Sequence, residues 1–162
     1  RTGVPFAMSA SGVVPHIMVT AKALGNGFPI GLTMTTDQIA GEIPSGAHGT
    51  TFGANPLAAR AVVTTLRALR DRDLYNRAVT TGEALVAGLQ GLNSAQIRQV
   101  RGRGLMIGVE LKGRVTPALR GLQDRGVLVL PAGATTFRLL PPMIWEQAQV
   151  DEFLSVASEV LS

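Results

Sequence analysis

From Ile17 to Thr35 the chain has room for little except a strand, a tight bend and a second strand. A short apolar run, Ile17-Met18-Val19, leads through Thr20 and Ala21 to a single lysine, Lys22. After Leu24 comes a glycine-rich bend, Gly25-Asn26-Gly27, then Phe28-Pro29-Ile30-Gly31 and onward to Thr35. The expectation is a buried strand over 17–20 with an amine at its end, then a tight loop and another strand over 30–35.

Lys22 is a rarity here. Of fifteen basic residues only Lys22 and Lys112 are lysines; the other thirteen are arginines. Arginine serves wherever a fixed positive charge suffices, but its guanidinium stays protonated and does not form imines. A lysine amine does, once an apolar pocket or a neighbouring cation lowers its pKa. The plainer alternative is a solvated loop lysine in an arginine-biased chain.

The 162 residues make one domain or two small pieces, long enough to bury a core. No apolar tract reaches the eighteen or so residues of a membrane span, and no signal peptide is visible, so the default setting is cytoplasmic. There is no cysteine, which removes disulfides, thiolate catalysis and cysteine-ligated metal. With His16 and His48 the only histidines, no multi-histidine metal site is expected. The net charge of +4 comes from scattered arginines, and the five Phe, one Tyr and one Trp do not interleave with them. Nucleic-acid binding is therefore not the reading, whereas attraction to an acidic substrate or partner fits. The opening residues, starting at Arg1, read like the middle of a longer protein.

Along the chain, a short helix is expected over 37–42, capped by Thr36 or Asp37. A glycine-punctuated polar loop follows, and Asn55-Pro56 signals a helix start. In that helix Leu57, Ala61, Val62, Leu66 and Leu69 share one face. Asp71 to Asp73 interrupts it, and a second helix carries Leu74, Ala78, Leu85 and Leu89 to Gly91. A boundary placed here divides the chain into 1–72 and 73–162. The remainder alternates: strands over 97–101 and 105–111, a helix from Thr116 to about Arg125, strands over 127–130 and 136–140, and a last helix over 146–161. The coarse answer is an α/β first part and a small α+β second part.

Three places could carry chemistry. The first is Lys22. The second is the loop 46–54, whose hydroxyls, Thr50 and Thr51, and free amides stand ahead of a helix N-terminus, an arrangement that favours a phosphate. Thr51 is the preferred hydroxyl, although spacing does not separate it from Thr50, and an ordinary capping loop is the alternative. The third is Arg138, in Phe137-Arg138-Leu139-Leu140 before two prolines. It must reach water, meet an internal carboxylate or hold a substrate carboxylate. His16 reads as a surface residue and His48 as a loop hydrogen-bonder.

These residues lie in stretches with a familiar look. R-T-G (1–3), P-H-I-M-V-T-A-K-A-L-G-N-G-F-P-I-G (15–31), H-G-T-T-F-G-A-N-P-L-A (48–58), V-R-G-R-G-L-M-I-G-V-E-L (100–111) and F-R-L-L-P-P (137–142) together resemble the class III, fold-type I aminotransferases. The resemblance runs over essentially the whole chain and is nearest to the branch acting on N-acetylornithine or on lysine attached to a carrier protein. It implies the C-terminal part of a fold-type I transferase, with 1–72 the end of the large cofactor domain and 73–162 the small domain. It implies pyridoxal 5'-phosphate as cofactor, Lys22 as the lysine that condenses with it, and Thr51 or Thr50 as the phosphate ligand reaching across a homodimer interface. Arg138 becomes the residue for the substrate carboxylate. The implied reaction exchanges a terminal amine with 2-oxoglutarate, in arginine or lysine biosynthesis, with an acidic amino-group carrier protein as partner. Ornithine, 4-aminobutyrate and succinylornithine are alternative donors, and a cofactor-free, non-catalytic fragment is the alternative of another class.

His16 stands where the family usually has aspartate, and Ala54 where glycine is common. The family's phosphate turn, its aromatic ring partner and the aspartate that makes the ring an electron sink lie upstream of the stretches matched here. On that basis these 162 residues alone are not expected to be a competent enzyme.

Overall fold

In the computed structural model, which describes residues 1–162, the chain forms two compact units. One is Met8–Arg72; the other is Asp73–Ser162 together with Arg1–Ala7. The first seven residues thus leave the segment expected to hold them. The Arg1 carbonyl accepts a hydrogen bond from the Leu105 amide at 2.8 Å, and Arg1 Nη1 donates to the Pro141 carbonyl at 2.6 Å.

In Met8–Arg72, β1 (Ile17–Ala21) pairs antiparallel with β2 (Gly31–Thr35), Ile17 facing Thr35 and Ala21 facing Gly31. The strand is not buried as expected. Met18 and Thr20 are half-covered, whereas Ile17 and Val19 are 54% and 70% exposed. Two strands alone offer two faces, and successive side chains alternate between them. A single turn of helix, α1 (Asp37–Gly41), starts after Thr36, whose carbonyl accepts from Ala40 N but whose side chain makes no cap.

The long helix α2 (Pro56–Asp71) begins where Asn55-Pro56 requires. Asn55 Oδ1 accepts from Leu57 N at 2.9 Å and Ala58 N at 3.3 Å, a cap that stabilises a helix by about 1 kcal/mol. Its inner stripe is Ala58, Ala61, Val62, Thr65 and Leu69. Leu57 and Leu66, expected on that stripe, are exposed. Gly25 and Ala58 are the buried residues of this unit.

The other unit opens with α3 (Leu74–Gly91), whose buried residues Leu74, Ala78, Gly82, Leu85 and Leu89 keep the helical period. Then come β3 (Ile97–Arg103), β4 (Met106–Leu111), α4 (Thr116–Asp124), β5 (Leu130–Pro131), β6 (Thr136–Leu139) and α5 (Gln147–Leu161). The sheet is antiparallel throughout, in the order β3-β4-β6-β5. The strand expected over 127–130 shrinks to Leu130–Pro131, because Val127 N is spent on the Leu122 carbonyl at the exit of α4.

Helices α3, α4 and α5 cover one face of this sheet. Leu85, Leu89, Ile107, Val109, Leu122, Phe137, Phe153 and Leu161 meet there almost free of solvent. Each such side chain contributes roughly 1.5–3 kcal/mol on leaving water. Arg77 fastens the turn before α5 to α3: Nε donates to the Trp145 carbonyl at 3.0 Å and Nη2 to those of Ile144 and Trp145. Glu146 and Gln149 then cap α5 reciprocally. The opposite face of the sheet is covered by no helix of this chain and carries Gln99, Arg101, Gly108, Glu110 and Arg138.

Candidate active site

Lys22 follows the last residue of β1 and opens a tight turn, Lys22–Gly25. Its backbone is left-handed, φ +56°, which costs an L-residue with a long side chain roughly 1–2 kcal/mol. The bend around it is closed by Asn26 N donating to the Ala23 carbonyl at 3.0 Å and Phe28 N donating to that of Gly25 at 3.1 Å. The turn rests on α2 within the same unit. The Lys22 side chain is exposed and makes no hydrogen bond or ion pair within the chain. Strained backbone of this kind persists where surroundings over-determine it, and functional turns are enriched in it. Two residues earlier, Thr20 Oγ1 is buried with no hydrogen-bond partner, the one such side-chain atom in the chain.

Thr50 and Thr51 lie in the exposed loop before α2. Gly53 N donates to the Thr50 carbonyl at 3.2 Å, closing a turn that leaves both threonine hydroxyls without an intrachain partner. The first amides of the helix itself are taken. Pro56 has none, Asn55 Oδ1 takes those of Leu57 and Ala58, and the Asn55 carbonyl takes that of Ala59. A phosphate here would depend on the threonine hydroxyls and loop amides, with the helix dipole as background.

Arg138 lies mid-strand in β6 between buried Phe137 and Leu139, and its own side chain points to the open face of the sheet. It has no carboxylate partner in the chain, so the internal salt bridge weighed for it is not formed. It lines a cavity of about 340 Å³ whose other walls include Leu128, Leu130, Pro142, Trp145 and Phe153. His16 and His48 are exposed, and neither side chain is hydrogen-bonded.

Lys22, Thr50 and Thr51 thus belong to Met8–Arg72, and Arg138 to the other unit. By residue type, the unpaired primary amine suits a carbonyl group and the free threonine hydroxyls suit a phosphate, and no contact within the chain joins the two. Sequence reasoning did not single out the strand neighbours of Arg138, namely Gly108, Leu130 and, beyond Gly108, Arg101. Alternation along 97–103 and 106–111 held the signal, but which residues face one another depends on register.

Comparison with known proteins decides the family. The family model described as aminotransferase class-III matches residues 1–161. The chain belongs to the class-III aminotransferases. It is 40% identical over its whole length to the LysW-aminoadipate semialdehyde transaminase of Deinococcus radiodurans, spanning 38% of that protein. It is likewise 40% identical to the acetylornithine aminotransferase of Bacillus subtilis, spanning 42% of it. Among solved structures, the acetylornithine aminotransferase of Elizabethkingia anophelis superposes with a TM-score of 0.92 at 27% identity. The chain is covered to 99% and that protein to 44%. This class-III chain therefore spans about two-fifths of the length of the relatives it matches, and its two units correspond to part of a fold-type I transferase. No helix in it is long and apolar enough to cross a membrane.

Proposed function

We propose that the protein is a pyridoxal 5'-phosphate-dependent aminotransferase. The observation that carries this reading is the free amine of Lys22, held in a left-handed turn at a strand end in a chain of the class-III family. In the proposal Lys22 Nζ binds the cofactor aldehyde, and Thr51, with Thr50 beside it, holds the phosphate of the partner's site in a homodimer. Arg138 holds a substrate carboxylate. The cofactor supplies an electron-withdrawing ring that makes the C–H bond next to the substrate nitrogen acidic. Lys22 Nζ would hold the cofactor's carbonyl end and, as a free amine, would move the proton at that substrate carbon. No arginine could do so at neutral pH.

The donor we propose is the terminal amine of an N-blocked ornithine or of lysine borne on a carrier protein, with 2-oxoglutarate as acceptor, in arginine or lysine biosynthesis in the cytoplasm. The names of the two 40%-identical relatives support that choice. Free ornithine is the second reading, favoured by the ornithine aminotransferase of Bacillus subtilis at 38% identity. Steady-state kinetics against acetylornithine, ornithine, succinylornithine and 4-aminobutyrate separates these donors. The proposal as a whole is tested by borohydride reduction of the intact protein and peptide mapping. A pyridoxyl group is expected on Lys22, and a label elsewhere ends the reading.

A further inference from the structure

The open face of the small-domain sheet contains one unexplained residue, Gly108. A glycine inside a strand loses packing and costs conformational entropy, so it normally marks a bulge, a close approach of backbone, or a close approach of ligand. The first does not apply: the register of β4 is regular at Gly108, and the irregularity of β3 lies between Ile97 and Gln99. Nor, within this chain, does the second. A Cβ placed on Gly108 would meet Thr136 Cγ2 at 3.7 Å and Arg101 Cγ at 3.9 Å, ordinary contacts, and its nearest backbone neighbour would be the Arg101 carbonyl at 3.9 Å.

The register shows what Gly108 stands beside. Its direct partner on β6 is Arg138, and its partner on β3 is Arg101. The two arginines are two strand spacings apart, roughly 10 Å, with only a bare backbone between them. Arg101 is already engaged: its Nη1 donates to Glu110 Oε2 at 2.8 Å and to Gln99 Oε1 at 3.1 Å. Arg138 is not engaged, and a fork of guanidinium N–H groups is left facing open space.

We infer that Gly108 is a specificity-determining residue: its missing side chain makes the floor on which a carboxylate lies when Arg138 grips it. The inference rests on the reading of Arg138 given above. The probe is glutarate, a dicarboxylate that has no amine to transfer, titrated calorimetrically into the intact holoenzyme. Gly108→Val fills the floor with a good strand former, so its melting temperature is expected to hold or rise while glutarate binding weakens about tenfold or more. Gly108→Ala, which meets only ordinary contacts, is expected to weaken it two- to fourfold. The donor KM rises in step, and kcat and the cofactor's visible absorbance stay near wild type. Arg138→Ala is expected to weaken glutarate at least tenfold. If Arg138→Ala weakens glutarate but Gly108→Ala and Gly108→Val do not, the inference about Gly108 is overturned and Arg138 keeps its role. If Arg138→Ala leaves glutarate unchanged, the role of Arg138 falls first and the floor with it.

Discussion

Gly82 of α3 lies directly against the backbone of Gly104, in the turn between β3 and β4, so closely that a Cβ on Gly82 would overlap the Gly104 carbonyl. Gly104 itself, at φ +52°, has the carbonyl of Arg1 on its other side. Helix, hairpin and the first residues of the chain are thus stacked backbone to backbone. What Gly82→Ala would strike is main chain, which cannot swing aside. The substitution is expected to destabilise by about 3 kcal/mol, above its gain in helix propensity. A thermal melt of the intact protein checks it; an unchanged midpoint would mean that α3 and the hairpin are not in contact.

Much of this packing could be read in advance, and the failures share a cause. Asn55-Pro56 and the Leu74, Ala78, Leu85, Leu89 stripe are local signals, and the structure uses both. The apolar run before Lys22 was too short to tell a strand buried on both faces from one covered on a single face. In α2 the inner stripe keeps Ala61, Val62 and Leu69 but takes Ala58 and Thr65 in place of Leu57 and Leu66, because a run of small and large apolar residues fits two faces almost equally well. The placing of Arg1 beside Leu105, and of Gly108 beside Arg138, depends on long-range pairing that no periodicity encodes. At the candidate site, the amine, the hydroxyls and the arginine were visible as residue types. The left-handed backbone of Lys22 was not, since nothing in that side chain favours it.

Substituting Lys22 separates charge from nucleophilicity. Lys22→Arg keeps a cation at the turn but removes an amine able to condense with an aldehyde. Both Lys22→Arg and Lys22→Ala are expected to cut transamination by at least about 10²-fold, the scale of a lost acid–base group. Both are expected to remove the visible absorbance that survives dialysis. Partial rescue of Lys22→Ala by an added small primary amine, with none for Lys22→Arg, is the accompanying expectation. Full activity in either variant would show that the amine lies elsewhere.

The Asn55 cap links the threonine loop to α2. Asn55→Ala releases the Leu57 and Ala58 amides and is expected to cost about 1 kcal/mol, read as a lower melting midpoint. Asn55→Asp keeps the acceptor and is expected to retain most of the stability. If the two variants melt alike, the side-chain oxygen is not the cap.

The last test concerns the orphaned hydroxyl beside the lysine turn. Thr20 Oγ1 has been taken out of water with nothing to bond to, an arrangement that costs about 1–3 kcal/mol. Valine has nearly the same shape and no hydroxyl, so Thr20→Val removes the penalty without opening a cavity. It is expected to raise the melting midpoint of the cofactor-free protein, whereas Thr20→Ser, which keeps the hydroxyl and loses the methyl, is expected to lower it. The opposite order, valine below wild type and serine close to it, would show that the oxygen is satisfied in the folded protein and that the strand before Lys22 is held by it.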